Sequence, residues 1–304
     1  MSQPKNLAVI ILIALAIFWG SSFILMKEGL KSFNWLDIAA FRMGLAGIVF
    51  WPFVLKHRQT IQRADWKHFA VVGIVGSGLP SVLFPLAQTH VASGIAGALN
   101  ALTPLFTFLI GIVFLGVVFE SRKLWAVLIG LAGALILILM RADGGFDTDY
   151  RYGLLILLAT ICYGTSVNVV KYRLHSYRPL MVAALPLSII SVIAWIVLGV
   201  RGFSMFEPMA NEVSFGFWKS LGALVLLSLV GTAFSLIIFN RLIKMSSAVF
   251  ASSVTYLIPI VALFWGILDG EPIGWLQLFG VVLILVAIYF MKQKKVAVSV
   301  KSVE

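Results

Sequence analysis

The 304-residue chain is 61% hydrophobic and only 12% charged, with a mean hydropathy of +1.04. A soluble globular chain is nearer half apolar and a quarter charged, so water is excluded as the solvent for most of this one. The net charge of +11 sits at segment ends rather than in one patch, which argues against a nucleic-acid partner.

Spans of about 20 apolar residues are the natural unit of such a chain. Ten candidates run through 7–26, 36–55, 68–88, 94–117, 123–140, 152–170, 180–200, 219–240, 246–268 and 274–291. Their connections are short, and the longest, 201–218, holds only a surface turn.

The first segment ends in "FWGSSFILMK", residues 18–27. Lys5 before an apolar run and Gly20-Ser21-Ser22 after it imitate a signal peptide. Apolar character continues to Met26, which fits a first span better. Lys27 reads as a snorkelling anchor. Trp19 is a candidate wall of a solute path.

The second segment carries Arg42, the one ionisable side chain deep within a span. A charge there costs about 2.5–3.5 kcal/mol on insertion scales. Two readings stand open: it meets a substrate carboxylate or phosphate, or it serves structure by pairing with Asp37, facing a helix end or snorkelling. Asp37 lies five residues earlier, about 140° round the helix, which aligns the pair poorly.

In the third segment Ser77, Ser81, Phe84 and Gln88 recur at helical spacing, with Pro80 and Pro85 as interruptions. Pro104 interrupts the fourth and Pro259 the ninth. A proline frees the carbonyl four residues earlier, here those of Asn100 and Thr255. Irregular backbone at membrane depth is tolerated where protein or a cavity covers it. Asn100, Thr255 and the neighbouring Tyr256 are therefore cavity candidates, and Pro80, Pro104 and Pro259 are candidate points of helix breaking or gating.

The sixth segment reads "CYGTSVNVVK" at 162–171 and adds Tyr163 and Asn168; the ninth adds Trp265. Pro186 bends the seventh, and Ser228, Thr232 and Ser235 stripe the eighth. Polar stripes in membrane helices often join helix to helix. The substrate-binding candidates are thus Arg42, Trp19, Gln88, Asn100, Tyr163, Asn168, Thr255, Tyr256 and Trp265.

Cys162 is the single cysteine, so no intrachain disulfide forms. His57, His68, His90 and His175 lie at or beyond span ends without ligand spacing. No metal, cofactor or catalytic group is expected, and no nucleotide-binding G-x-x-x-x-G-K-[ST] occurs. No Asp or Glu lies in mid-span, which disfavours exchange through an intramembrane carboxylate. Glu28, Asp37, Asp269 and Glu271 stand at span edges.

With the N-terminus cytoplasmic, 16 basic residues fall inside and 6 outside. The positive-inside rule thus places both termini in the cytoplasm, and the basic tail 292–304 at anionic headgroups. A shift of 144 residues lays Gly20, Ser22 and Lys27 over Gly164, Ser166 and Lys171, with Trp19 over Tyr163. A shift of 155 lays Ala96, Leu102, Pro104 and Gly111 over Ala251, Leu257, Pro259 and Gly266. Five spans followed by five put the second half into the membrane from the opposite face, an arrangement common in secondary transporters.

"FWGSSFILMK", "FRMGLAG" at 41–47, "ALNALTPLFTFLIGIVFLG" at 98–116 and "VTYLIPIVALFWGILDGEPIGWLQLFGVVLILVAI" at 254–288 resemble the EamA family of the drug/metabolite transporter superfamily. The resemblance covers nearly the whole chain. It implies an all-α membrane protein of ten transmembrane helices in two inverted five-helix EamA repeats, 1–141 and 150–291. It also implies movement of small metabolites. Gly270-Glu271 keeps the family's Gly-Glu after the fourth helix of a repeat, whereas the first half has Gly116-Val117 and only then Glu120.

The expected activity is secondary transport of a small amphipathic metabolite, such as an amino acid or derivative, across the inner membrane by alternating access, with export the expected direction. A lipid or polyprenyl-headgroup flippase is the alternative, and a membrane-embedded enzyme or scaffold the rival of another class. The expected partners are the small-molecule substrate and the bilayer; monomer and homodimer both stand open.

Overall fold

The computed structural model describes residues 5–115, 121–146, 149–206, 215–245 and 254–291. Gly116, Val117, Glu120, Ala251, the side chain of Tyr256 and the tail 292–304, all used above, lie outside the described residues.

The described chain is helical throughout, with one isolated antiparallel bridge between Met140 and Phe146. The helices are α1 Lys5–Leu30, α2 Trp35–Ile48, α3 Trp51–His57, α4 Trp66–Gly73 and α5 Leu79–Ala87. They continue with α6 Ser93–Asn100, α7 Thr103–Leu115, α8 Ser121–Leu139, α9 Tyr150–Arg173 and α10 Pro179–Val200. The last are α11 Phe215–Ser228, α12 Ser235–Met245, α13 Val254–Leu268 and α14 Trp275–Met291. Two wider π segments, Ile74–Gly78 and Leu229–Phe234, join α4 to α5 and α11 to α12.

Six helical stretches among the described residues are long and apolar enough to cross a membrane, and three shorter apolar helices accompany them. Residues 36–55, which hydropathy reads as one span, reach membrane length only as a bent pair, with α2 and the following helical stretch at 52°. Pro52 explains the break. It sits in the first turn of α3, where its missing N–H is harmless, and it cannot continue α2. Ser93–Phe114 remains one membrane-length stretch, although its α-helical run is interrupted at Ala101-Leu102, just before Pro104.

Asn34 starts α2 by accepting the Leu36 N–H at 3.0 Å. The same helix is held to the far part of the chain by Asp37, whose two oxygens accept from Arg201 Nε at 2.6 Å and Nη2 at 3.0 Å. The Arg201 fork at the end of α10 thus grips the first turn of α2.

Small residues set the closest approaches. A Cβ on Gly164 of α9 would lie 2.8 Å from the Thr107 backbone nitrogen on α7. One on Gly20 of α1 would lie 2.5 Å from Val261 Cβ on α13. Gly76 in the first π segment faces Ser166 of α9, and Gly231 in the second faces Ser22 of α1. Gly133 of α8 and Gly280 of α14 each face the other's carbonyl.

Candidate functional site

Arg42 lies seven residues into α2, about 10 Å along it from Trp35. Its Nε–H donates to Thr232 Oγ1 at 3.0 Å, and Nη1 lies 3.8 Å from Met26 Sδ. The Thr232 hydroxyl in turn donates to Leu227 O at 3.0 Å, five residues back. The widened π turn therefore presents an oxygen whose proton is already committed, leaving its lone pairs for the guanidinium. Tyr163 of α9 stands close enough to Arg42 to interact with it electrostatically.

These neighbours come from α1, α9 and the second π segment, so Arg42 points among helices. Asp37, the alternative partner, is taken by Arg201. Among the described residues no carboxylate pairs with Arg42. A guanidinium offers five N–H donors, and a hydroxyl and a thioether leave most of them unused. Arg42 is half-buried, and its unused N–H donors can pair with an anionic group.

An aromatic wall adjoins it. Tyr163 stacks on Phe84 with ring centroids 6.1 Å apart, and Phe84 meets Phe23 edge-on at 5.6 Å. The Phe23 carbonyl accepts from Gln88 Nε2 at 2.8 Å. Phe23 and Met26 are three residues apart on α1, about 4.5 Å along its axis, so this wall lies beside the sulfur that Arg42 touches. Because the Phe23 carbonyl only accepts, it fixes the Gln88 amide: nitrogen toward Phe23, Oε1 away. Among the described residues that buried Oε1 has no hydrogen-bond partner, and neither has Asn100 Oδ1.

The other sequence candidates lie elsewhere in the bundle. Trp19 packs on Phe239 of α12 at 5.0 Å, and Trp265 Nε1 donates to Ser21 Oγ at 2.8 Å; the two tie α1 to α12 and α13. Asn168 spends its amide on Thr107 O and Gly164 O, both at 2.9 Å, joining α9 to α7. Thr255 sits in the first turn of α13. Pro80 opens α5 after the first π segment, Pro104 opens α7, and Pro259 lies inside α13. The carbonyl freed by Pro104 does not face open space: Asn100 O accepts from Thr103 Oγ1 at 2.8 Å.

Lys27 departs from the snorkelling role. Its ammonium lies 2.6 Å from Asp269 Oδ2 and 2.8 Å from Glu271 Oε1. Gly270, at φ +72°, ends α13 in the left-handed conformation, and Glu271 N–H closes back on Gly266 O at 2.9 Å. The turn delivers the Glu271 carboxylate to α6, where it accepts the N–H of Ser93 at 2.8 Å and of Gly94 at 3.0 Å. Burial raises the Glu271 pKa, but the Gly94 N–H, the Lys27 ammonium and Ser93 outweigh it and hold the group below its ordinary value. Lys27 likewise lowers Asp269.

Sequence reading found Arg42, Tyr163 and Gln88 but not their supports, Thr232, Met26, Phe23 and Phe84, as one wall. One signal was available for Thr232. The shift of 155 lays "IVGS" at 74–77 over "LVGT" at 229–232, the two stretches that become π segments.

Comparison with known proteins bears on the whole chain. The EamA-like transporter family matches residues 6–139 and 151–292. The inner membrane transporter YedA of Escherichia coli K12 is 29% identical, over 95% of this chain and 94% of its own. The S-adenosylmethionine/S-adenosylhomocysteine transporter of Chlamydia trachomatis serovar L2 is 26% identical, over 88% of this chain and 83% of its own. A crystal structure 17% identical in sequence superposes with a TM-score of 0.61, covering 94% of this chain and 96% of that one, and so shares the fold. The chain belongs to the EamA-like transporter family.

Proposed function

We propose that the protein is a secondary transporter that moves a small amphipathic metabolite bearing a carboxylate across the inner membrane, by alternating access and in the direction of export. An amino acid or amino-acid derivative is the substrate class that fits best. One observation carries this reading: Arg42 stands inside the bundle with a hydroxyl and a thioether as neighbours and no carboxylate among the described residues. Its free donors suit a carboxylate, and the Phe23–Phe84–Tyr163 wall suits an apolar body. Gln88 Oε1, without a hydrogen-bond partner among the described residues, supplies an acceptor for an amine beside that wall. Aromatic walls with a few placed polar groups are the usual make-up of small-molecule sites. S-adenosylmethionine, named for the chlamydial relative, also joins an α-amino carboxylate to a larger body.

The ten-span, two-repeat arrangement is part of the proposal. It is supported by contacts that recur in pairs. Ser22 on Gly231 and Ser166 on Gly76 are one pair, since the shifts of 144 and 155 exchange their members. Gly20 on Val261 and Gly164 on the Phe106-Thr107 backbone are another. Such reciprocity is what a two-fold axis in the membrane plane produces. The Lys and Arg bias supports cytoplasmic termini, and Pro80 and Pro104 stand at helix starts, where rocking of one bundle against another would concentrate.

The flippase alternative has one observation in its favour. An apolar groove of about 540 Å³ opens beside α2 and α10, lined by Ile48, Trp51, Val192, Trp195 and Ile196. Ile48 lies about 120° round α2 from Arg42, and the groove lining carries no charge for a headgroup, which favours the solute reading. The test is a metabolite screen: cells overproducing the protein should accumulate one or a few carboxylated solutes in the medium. Unchanged exometabolites, with faster inward movement of labelled lipid in proteoliposomes, would favour the flippase.

A further inference from the structure

A second polar cluster stands apart from Arg42, at the end of the bundle where α1 stops and α6 starts. Resting on the transporter reading, we infer that Lys27 and Glu271 form the gate of this one mouth, that the described residues of the opposite mouth carry no equivalent, and that the protein rests with this mouth closed.

Three elements meet at the Glu271 carboxylate. α1 brings the Lys27 ammonium, α6 brings the Ser93 and Gly94 N–H groups, and the turn after α13 brings Glu271 itself with Asp269. The Glu271 side chain is only 3% exposed. Two glycines bring the helices down onto it: a Cβ on Gly266 would lie 2.5 Å from Oε2, and one on Gly94 3.5 Å. Separating α1 from α6 and α13 at this end requires Lys27 to leave both carboxylates. The bonds that close the mouth are thus charge-assisted, and at the buried Glu271 carboxylate they are shielded from water, whereas Lys27 and Asp269 stay partly exposed.

The opposite end is built differently. Tyr150 and Gly153, at the start of α9, line one cavity of about 510 Å³ with Ala92 and Pro272, so α9 begins at the gated mouth. Its 24 residues reach about 36 Å to the other end. Lys171 stands there in the place that the shift of 144 gives to Lys27. Its ammonium lies 5.3 Å from the Tyr172 ring centroid, and no carboxylate pairs with it among the described residues. The shift of 155 puts Gly116 where Glu271 stands, so the sequence supplies no acid at the matching position. The first half's departure from Gly-Glu thereby acquires a consequence: one mouth has an ionic lock, and among the described residues the other has none.

Lys27→Met separates gating from helix capping, because it leaves Glu271 free to hold Ser93 and Gly94. Hydrogen–deuterium exchange by mass spectrometry on wild type and Lys27→Met in nanodiscs reads both mouths without a substrate. The gate predicts amide exchange about five- to thirtyfold faster at residues 24–30 and 93–97. It also predicts slower exchange at 166–173, because opening one mouth closes the other. Faster exchange at the first two stretches with none slowed at 166–173 would make the pair a local tie and overturn the proposal, as would no change at either mouth. A reciprocal shift in a protein that moves no solute would leave the gate standing and remove the transport reading instead.

Discussion

Thr232→Val is nearly isosteric and removes the hydroxyl that holds Arg42. The Arg42 Nε–H loses its acceptor at 3.0 Å, and Leu227 O loses its donor at 3.0 Å. A hydrogen bond to a charged group contributes about 1.5–3 kcal/mol, and the neutral one about 1 kcal/mol. If Thr232 merely joins helices, the whole loss appears in stability and the site is unaffected. If it positions Arg42 for a carboxylate, the charged part also appears in substrate binding, as a weakening of about 10- to 150-fold. The assay is concentration-dependent uptake into proteoliposomes of the solute found by the export screen, beside thermal unfolding of the purified protein. The expected pattern is a raised half-saturation concentration for Thr232→Val, with Thr232→Ser close to wild type because serine keeps both bonds. A lowered melting temperature with unchanged half-saturation would refute the positioning role.

Two further outcomes follow from packing and charge. Gly164→Ala would drive a Cβ into the α7 backbone, where no rotamer change relieves it, whereas Gly222 has nothing within 4 Å. Overpacking predicts a loss of about 1–3 kcal/mol for Gly164→Ala and none for Gly222→Ala, read by thermal unfolding in detergent. Glu271 is held below its ordinary carboxylate pKa, so its contribution is complete above the unfolded value of about 4.3 and is lost as pH falls through the lower folded value. The stability advantage of wild type over Glu271→Gln is therefore flat between about pH 6 and 8 and declines only once pH falls below the unfolded carboxylate value. An advantage that fades near neutrality would contradict the assignment.

The sequence made the membrane class, the family resemblance and Arg42 legible, because each rests on composition or on local order. Hydropathy measures how apolar a window is and says nothing of the hydrogen-bond period inside it. It therefore read 68–88 and 219–240 as plain spans, and the two π segments within them were invisible, although one of them supplies Thr232. Pro52 was a local signal left unused, and it breaks the second span. The longer-range pairings were out of reach for another reason. Arg201 meets Asp37 across 164 positions, and Glu271 meets Ser93 across 178. Lys27 read as a snorkelling anchor because its acids lie 242 and 244 residues away. Asn168 shows the converse: a buried amide resembles a substrate ligand until its two acceptors are seen on neighbouring helices.

The account turns on Arg42 as the group that receives a carboxylate. The direct measurement is transport by wild type and Arg42→Ala in proteoliposomes loaded with the exported solute and, separately, with its carboxamide analogue. The account predicts that wild type carries the acid in strong preference to the amide. Arg42→Ala should lose transport of the acid while keeping its fold by thermal unfolding. Transport of the acid by Arg42→Ala with unchanged apparent affinity would contradict it.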